Sequence, residues 1–218
     1  MAAVPKEKPP TRIFLVDDHA VVRYALAQLI GKQTDMMVCG EAEDSATALR
    51  LIPNARPDLV IGDVSLRECS GIELIRNLKV QFPNLPVLVV SMHDEMVFAE
   101  VALRAGAVGY IMKEEAIDKV LIAIRETLNG TIYVSSALAA RMIRSQAHGQ
   151  TKDSPMRKLS DRQLEVFRLI GQWKGTGEIA KELHLSVKTV DYYREQIKMK
   201  LHLRNAAELL QCATHLPQ

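Results

Sequence analysis

A pair of adjacent aspartates, Asp17 and Asp18, a further aspartate at Asp63, a hydroxyl at Ser91 and a lysine at Lys113 each fall at, or directly after, the end of a short apolar run. Those runs are Ile13 to Val16, Leu59 to Gly62, Pro86 to Ser91 and Gly109 to Met112. Three carboxylates meeting at one edge repel each other and are costly unless a hard divalent cation holds them. Mg²⁺ (or Mn²⁺) prefers a few carboxylates together with waters and phosphate oxygens. A lysine and a hydroxyl opposite would take the remaining oxygens of a phosphoryl group. Together these residue types describe a phosphoryl-transfer site in which a carboxylate is the nucleophile and the metal neutralises developing charge. Singly each has a plainer role, since an Asp at a strand end caps the next helix, a loop lysine is solvated and Tyr110 fills a core. The set is informative because it is joint.

The elements that must position these residues alternate. Strand and helix patterns take turns: Ile13 to Val16, Val21 to Ile30, Met37 to Glu41, Ser45 to Ile52, Leu59 to Gly62, Gly71 to Gln81, Pro86 to Ser91, Glu95 to Ala105, Gly109 to Met112 and Ala116 to Leu128. Such spacing suits crossover helices between parallel strands. The strands are near-continuous apolar runs (IFLV, LVI, VLVV), as expected when helices cover both faces of the sheet. A doubly wound, flavodoxin-like α/β domain of (βα)5 form is therefore predicted over residues 11–134, with its ligand site at the carboxyl ends of the strands beside a topological switch point.

Beyond it, residues 135–158 read as a linker with one short helix, Ser135 to Arg144, followed by polar, Gly- and Pro-containing chain. Residues 159–218 then show apolar positions at helical spacing and no strand pattern, which predicts a small bundle of four helices. Within it, Glu178 to Leu183, a turn at Leu185 and Ser186, and Val187 to Leu201 read as helix, tight turn, helix. Residues 1–130 hold 14 Lys and Arg against 18 Asp and Glu, whereas residues 131–218 hold 14 against 8, so the basic second part is the one expected to meet a polyanion. No apolar run approaches a membrane span, residues 1–10 read as a disordered tail, and three cysteines stand at no metal-ligand spacing. A cytoplasmic protein without membrane contact is expected.

LVDDH at 15–19, DVSLRECSG at 63–71, VLVVSMHDE at 87–95 and AGAVGYIMKEEA at 105–116 resemble the CheY-like receivers of two-component response regulators, of the NarL/FixJ class. Residues 159–213 resemble the LuxR-type DNA-binding domain. The resemblance covers nearly the whole chain. It implies that Asp63 is the phosphoacceptor, and that Asp17, Asp18, Asp63 and the backbone carbonyl of Ser65 hold the metal. Ser91 would be the switch hydroxyl, Lys113 the phosphate-pairing lysine and Tyr110 the aromatic whose rotamer follows Ser91. It implies a sensor histidine kinase as phosphodonor, double-stranded DNA as target and a homodimer formed on phosphorylation or DNA binding. It also implies a regulator rather than an enzyme, since a phosphatase working through an aspartyl intermediate needs a second acid where Ser65 stands.

In the second domain, Val190, Ile197 and Leu201 share one face of the recognition helix, while Lys188, Asp191, Tyr192, Glu195 and Met199 point away. By resemblance the outward face enters the major groove, with Lys188, Thr189, Asp191, Tyr192, Arg194, Glu195 and Lys198 as DNA contacts. Lys188, Arg194, Lys198 and Lys200 are candidates for phosphate contacts, and at least one of Asp191 and Glu195 is expected either to read a cytosine or to orient Arg194 or Lys198 at i to i+3 spacing, against the plainer reading of a solvated face. Three positions depart from the family: Arg67 replaces the usual proline, Gly62 precedes the phosphoacceptor, and Trp173 stands where glycine is usual. The first two leave open a phosphorylation-independent DNA-binding regulator whose receiver serves dimerisation or ligand binding. Trp173 is either a core residue or a surface contact.

Overall fold

The structure, a computed structural model, describes residues 9–66, 71–147, 159–201 and 203–214. The expected tail at its first eight positions, Arg67, Cys69 and the linker segment 148–158 lie outside the described residues. The chain divides into two compact units, one ending at Leu138 and the other beginning at Ala139.

In the first unit, strands and helices alternate as β1 (Thr11–Val16), α1 (Ala20–Gly31), β2 (Met36–Ala42), α2 (Ser45–Ala55), β3 (Leu59–Gly62), α3 (Gly71–Gln81), β4 (Val87–Ser91), α4 (Glu95–Ala105), β5 (Gly109–Met112) and α5 (Ala116–Leu128). A single 3-10 turn over Lys113–Glu115 joins β5 to α5. The five strands are parallel in the order β2-β1-β3-β4-β5, so the switch point falls between β1 and β3. Val16 is in register with Gly62, and the Asp63 amide donates to the Val16 carbonyl at 2.9 Å. Asp17 and Asp63 thus leave neighbouring strands side by side.

Alternation along each strand builds two buried faces. Ile13, Leu15, Leu59, Ile61, Leu88, Val90 and Ile111 cluster with Leu26 and Ile30 of α1 and Val120, Ala123 and Ile124 of α5. The intervening Phe14, Val60, Val87, Val89 and Tyr110 are equally buried, on the opposite face. The ladder between β1 and β2 slips between Ile13 and Phe14, beside Gly40, where a Cβ would stand 2.4 Å from the Phe14 ring. α2 runs three residues past the expected end and carries Pro53 inside it. The proline costs one amide near the helix end, and the helix still closes through Arg56, in left-handed conformation, whose N–H donates to Ile52 at 2.9 Å.

After α6 (Ser136–Ala147), the second unit contains α7 (Asp161–Gly171), α8 (Thr176–Glu182), α9 (Val187–Leu201) and α10 (Ala206–Thr214). Leu164, Phe167, Ile170, Ile179, Val190, Ile197 and Leu209 form its buried interior. α7 begins at a capping box in which Ser160 and Gln163 bond reciprocally. It ends at Gly171, where a Cβ would lie 2.5 Å from the Ala213 carbonyl oxygen, so α7 and α10 approach closely only because the side chain is missing. Glu165, fully buried in α7, is ion-paired to Arg162 at 2.5 Å.

Candidate functional site

The strand ends bring the predicted residues of the first unit into one cluster. Asp63 is buried, and each of its oxygens is held: Oδ1 accepts from Ser91 Oγ at 2.7 Å and from the Ser65 amide at 3.2 Å, and Oδ2 faces Lys113 Nζ at 2.7 Å. The same Nζ lies 2.7 Å from Asp17 Oδ2, so one buried ammonium bridges two carboxylates from adjacent strands. Asp18 is placed beside them, half-buried, with its carboxylate 2.7 Å from His19 Nδ1. Tyr110 is buried with its ring inward, and its hydroxyl donates to the His93 carbonyl at 2.8 Å. His93 Nε2 in turn meets the Ser65 hydroxyl.

Electrostatics in this cluster follow from burial. Desolvation pushes the Asp17 carboxyl above its usual range, and the neighbouring Asp63 charge adds to that, against the opposing pull of Lys113. At Lys113 burial works to lower the pKa, but Asp63 and Asp17 outweigh it and hold the ammonium charged. Burial likewise raises the Tyr110 phenol, which stays protonated as a donor. Ligand atoms of Asp17, Asp18, His19 and Asp63 all lie within 4.8 Å of one another. A donor set dominated by carboxylate oxygens suits a hard cation such as Mg²⁺.

In the second unit, α9 has the bounds expected of the recognition helix. Val190 and Ile197 are buried, whereas Lys188, Asp191, Tyr192, Glu195 and Met199 are exposed. Ser186 caps it by accepting from the Thr189 amide at 3.0 Å, and the Ser186 and Thr189 hydroxyls lie 2.7 Å apart. Glu195 and Lys198 form an i to i+3 pair at 2.8 Å, one of the two roles expected for the outward carboxylates. Arg194 Nη1 donates to Thr176 Oγ1 at 3.3 Å and so ties α9 to the start of α8. Lys200 Nζ donates to Gln163 Oε1 at 2.8 Å, which joins α9 to the α7 cap.

Residues 13–125 match the response regulator receiver domain, and residues 157–213 match the luxR family of bacterial regulatory proteins. The chain belongs to the two-component response regulators. The oxygen regulatory protein NreC of Staphylococcus aureus is 33% identical over 208 residues, covering 93% of this chain and 96% of the relative. Among solved structures, a LuxR-family response regulator from Aurantimonas sp. is 33% identical with a TM-score of 0.59, covering 63% of this chain and 99% of its own. RcsB of Salmonella enterica serovar Typhimurium, solved bound to a promoter with the phosphomimetic BeF3⁻, is 25% identical with a TM-score of 0.62, covering 94% of this chain and 99% of RcsB. The regulator is thus a DNA-binding transcription factor with a receiver, related to a protein named as an oxygen regulator.

Three neighbours of the site were not assigned from the sequence. His19 follows the aspartate pair directly and donates its amide to Asp17 Oδ1 at 2.8 Å, so adjacency was the available signal. Arg23, one turn into α1, donates to the Asp17 carbonyl and lies 3.6 Å from Glu41 of β2; nothing in the sequence separates it from a solvated helix cation. His93 is held between the Ser65 hydroxyl and the Phe98 ring, contacts that no pattern in the sequence signals.

Trp173 of the regulator resolves as a surface residue, 74% exposed, with φ at +64°. It follows the Gln172 cap of α7 in a Schellman arrangement, its N–H donating to Ile170 at 2.9 Å and that of Lys174 to Leu169 at 3.2 Å. Glycine is usual there because this conformation costs a side chain about 1 kcal/mol. Trp173→Gly should therefore stabilise the second unit by about 1 kcal/mol, read in thermal unfolding. A lowered midpoint would mean that the indole supports the fold.

Proposed function

We propose that the regulator is switched by phosphorylation of Asp63 by a sensor histidine kinase, and that the switch controls binding of residues 159–218 to double-stranded DNA. The receiver then comprises residues 11–134, and the linker residues 135–158. The observation that carries this is the grip on Asp63: the Ser91 hydroxyl and the Lys113 ammonium, each at 2.7 Å, are the donors a phosphoryl group on that carboxylate would need. In the transfer, an Asp63 oxygen forms a bond to phosphorus as the phosphorus–nitrogen bond of the kinase phosphohistidine, protonated on its other ring nitrogen, breaks and leaves a neutral imidazole.

Asp17, Asp18, Asp63 and the Ser65 carbonyl would hold Mg²⁺, which when bound offsets the charge of the incoming phosphoryl group. Lys113 and Ser91 turn from the Asp63 oxygens to phosphoryl oxygens, and Tyr110 re-packs with Ser91. Such a local change reaches a distant domain through the surface it alters, here in favour of a homodimer that engages paired half-sites. On the DNA side, Lys188, Thr189, Asp191, Tyr192, Arg194, Glu195 and Lys198 form the contacting set. No described helix is long and apolar enough to cross a membrane, in keeping with a regulator that works on DNA in the cytoplasm.

Incubation of the full-length protein with acetyl phosphate and Mg²⁺ should add one phosphoryl group by intact mass, and a chelator should prevent it. Uptake undiminished by the chelator would contradict the assignment of the carboxylates to a metal.

A further inference from the structure

Trp173 combines two costs that its own domain does not repay: an indole turned to solvent and a backbone conformation that favours glycine. Strain of this kind, at a position whose side chain contributes nothing to the buried interior, points to a partner outside the domain. Its surroundings say which. Three residues on, Thr176 opens α8 and receives Arg194 of α9, so the helix start that follows the Trp173 turn is joined to the recognition helix by a side-chain bond. In a helix-turn-helix the helix before the recognition helix crosses the sugar-phosphate backbone, and the segment entering it flanks the groove. The carboxylates near this turn are occupied, Glu178 capping the Gly175 amide at 2.7 Å and Glu182 pairing with Lys174 at 2.5 Å.

We propose that Trp173 is a DNA contact beyond the recognition helix, its ring lying against the sugar-phosphate backbone at the edge of the half-site and its Nε1–H donating to a phosphate oxygen. The inference rests on the DNA-binding reading given above. An indole suits the role because it presents an apolar face and one donor at little rotamer cost. The contact positions without specifying a base, so its loss weakens binding to every sequence alike.

Trp173 is the only tryptophan in the chain, so its emission reports on this position alone. Full-length wild-type protein is titrated with labelled duplexes recovered by binding-site selection, following duplex anisotropy and tryptophan emission together. Anisotropy and emission should saturate in parallel. Trp173→Gly should bind all duplexes about 10-fold more weakly while unfolding about 4 to 8 °C higher, a combination that loss of structure does not produce. Trp173→Phe, which keeps a ring and loses the donor, should fall between.

If anisotropy rises while emission stays constant and Trp173→Gly binds as wild type does, the proposal is overturned and the DNA-binding reading stands. If the emission maximum instead shifts with protein concentration without DNA, the indole packs on a second copy of the chain, and the proposal is again overturned. If the wild-type protein binds no selected duplex, the DNA-binding reading fails first and takes the proposal with it.

Discussion

Asp63→Asn should take up no phosphoryl group under conditions that fully label the wild-type regulator, and should do so without loss of stability. The amide is nearly isosteric with the carboxylate, so its oxygen still accepts from Ser91 and Ser65, and although its NH2 turns a donor toward Lys113, that ammonium keeps Asp17 Oδ2 at 2.7 Å as its partner. It also removes one of two like charges that Lys113 bridges, and that relieves Asp17, whose carboxyl burial and the Asp63 charge together push upward. The expected result is therefore complete loss of labelling with an unchanged or raised unfolding midpoint. Labelling that persists in the Asn variant would place the phosphoacceptor elsewhere, and a folded variant would keep that conclusion clean.

Gly71→Ala should damage the same site through the backbone. A Cβ at Gly71 would stand 1.9 Å from the carbonyl oxygen of Asp63 and 2.8 Å from Val64 Cα, while the Gly71 amide donates to the Val64 carbonyl at 2.7 Å. The start of α3 is pressed onto the loop that carries the phosphoacceptor, and neither side is a flexible side chain that could give way. Overpacking of this kind costs about 1 to 3 kcal/mol, and a shift of about 1 Å in a reacting group slows its chemistry about 100-fold. Both should be seen, in thermal unfolding and in the rate of phosphoryl uptake. Gly62→Ala is the control, since a Cβ there meets nothing within 4 Å; it should be neutral or stabilise by about 0.5 to 1 kcal/mol. Equal behaviour of the two variants would show that α3 does not brace the loop.

The difference between these glycines marks where sequence reading ends. Strands that are apolar on both faces, separated by helical stretches, determine a parallel sheet, and a parallel sheet puts Asp17, Asp18, Asp63, Ser91 and Lys113 at one edge whatever the details of packing. That much was legible, and the bounds of α3, α4 and α5 matched their patterns. Gly71 was legible as a helix start, but the closeness of Asp63 depends on how a loop folds back over three dimensions. Lys200 carries charge that the sequence shows, whereas its bond to Gln163 depends on the meeting of α9 with the α7 cap. Trp173 looked anomalous for its type alone; its left-handed φ supplies the physical reason that glycine is usual there.

Arg23 is similar, because its place against the Asp17 carbonyl depends on β2 supplying Glu41 beside it. At Gly62 a Cβ would meet nothing within 4 Å, and the residue pairs in register with Val16 and Val89.

The coupling between receiver and DNA-binding domain is measured most directly by DNA titration of the full-length wild-type protein with and without acetyl phosphate and Mg²⁺, at one fixed salt concentration. A coupling of about 1 to 3 kcal/mol should tighten binding about 5- to 150-fold on phosphorylation, and Asp63→Asn should show a single curve whether or not the donor is present. Superimposable curves for a wild-type protein shown by mass to be phosphorylated would contradict the account, and would make the receiver a platform for dimerisation or ligand binding in a regulator that does not read its own phosphate.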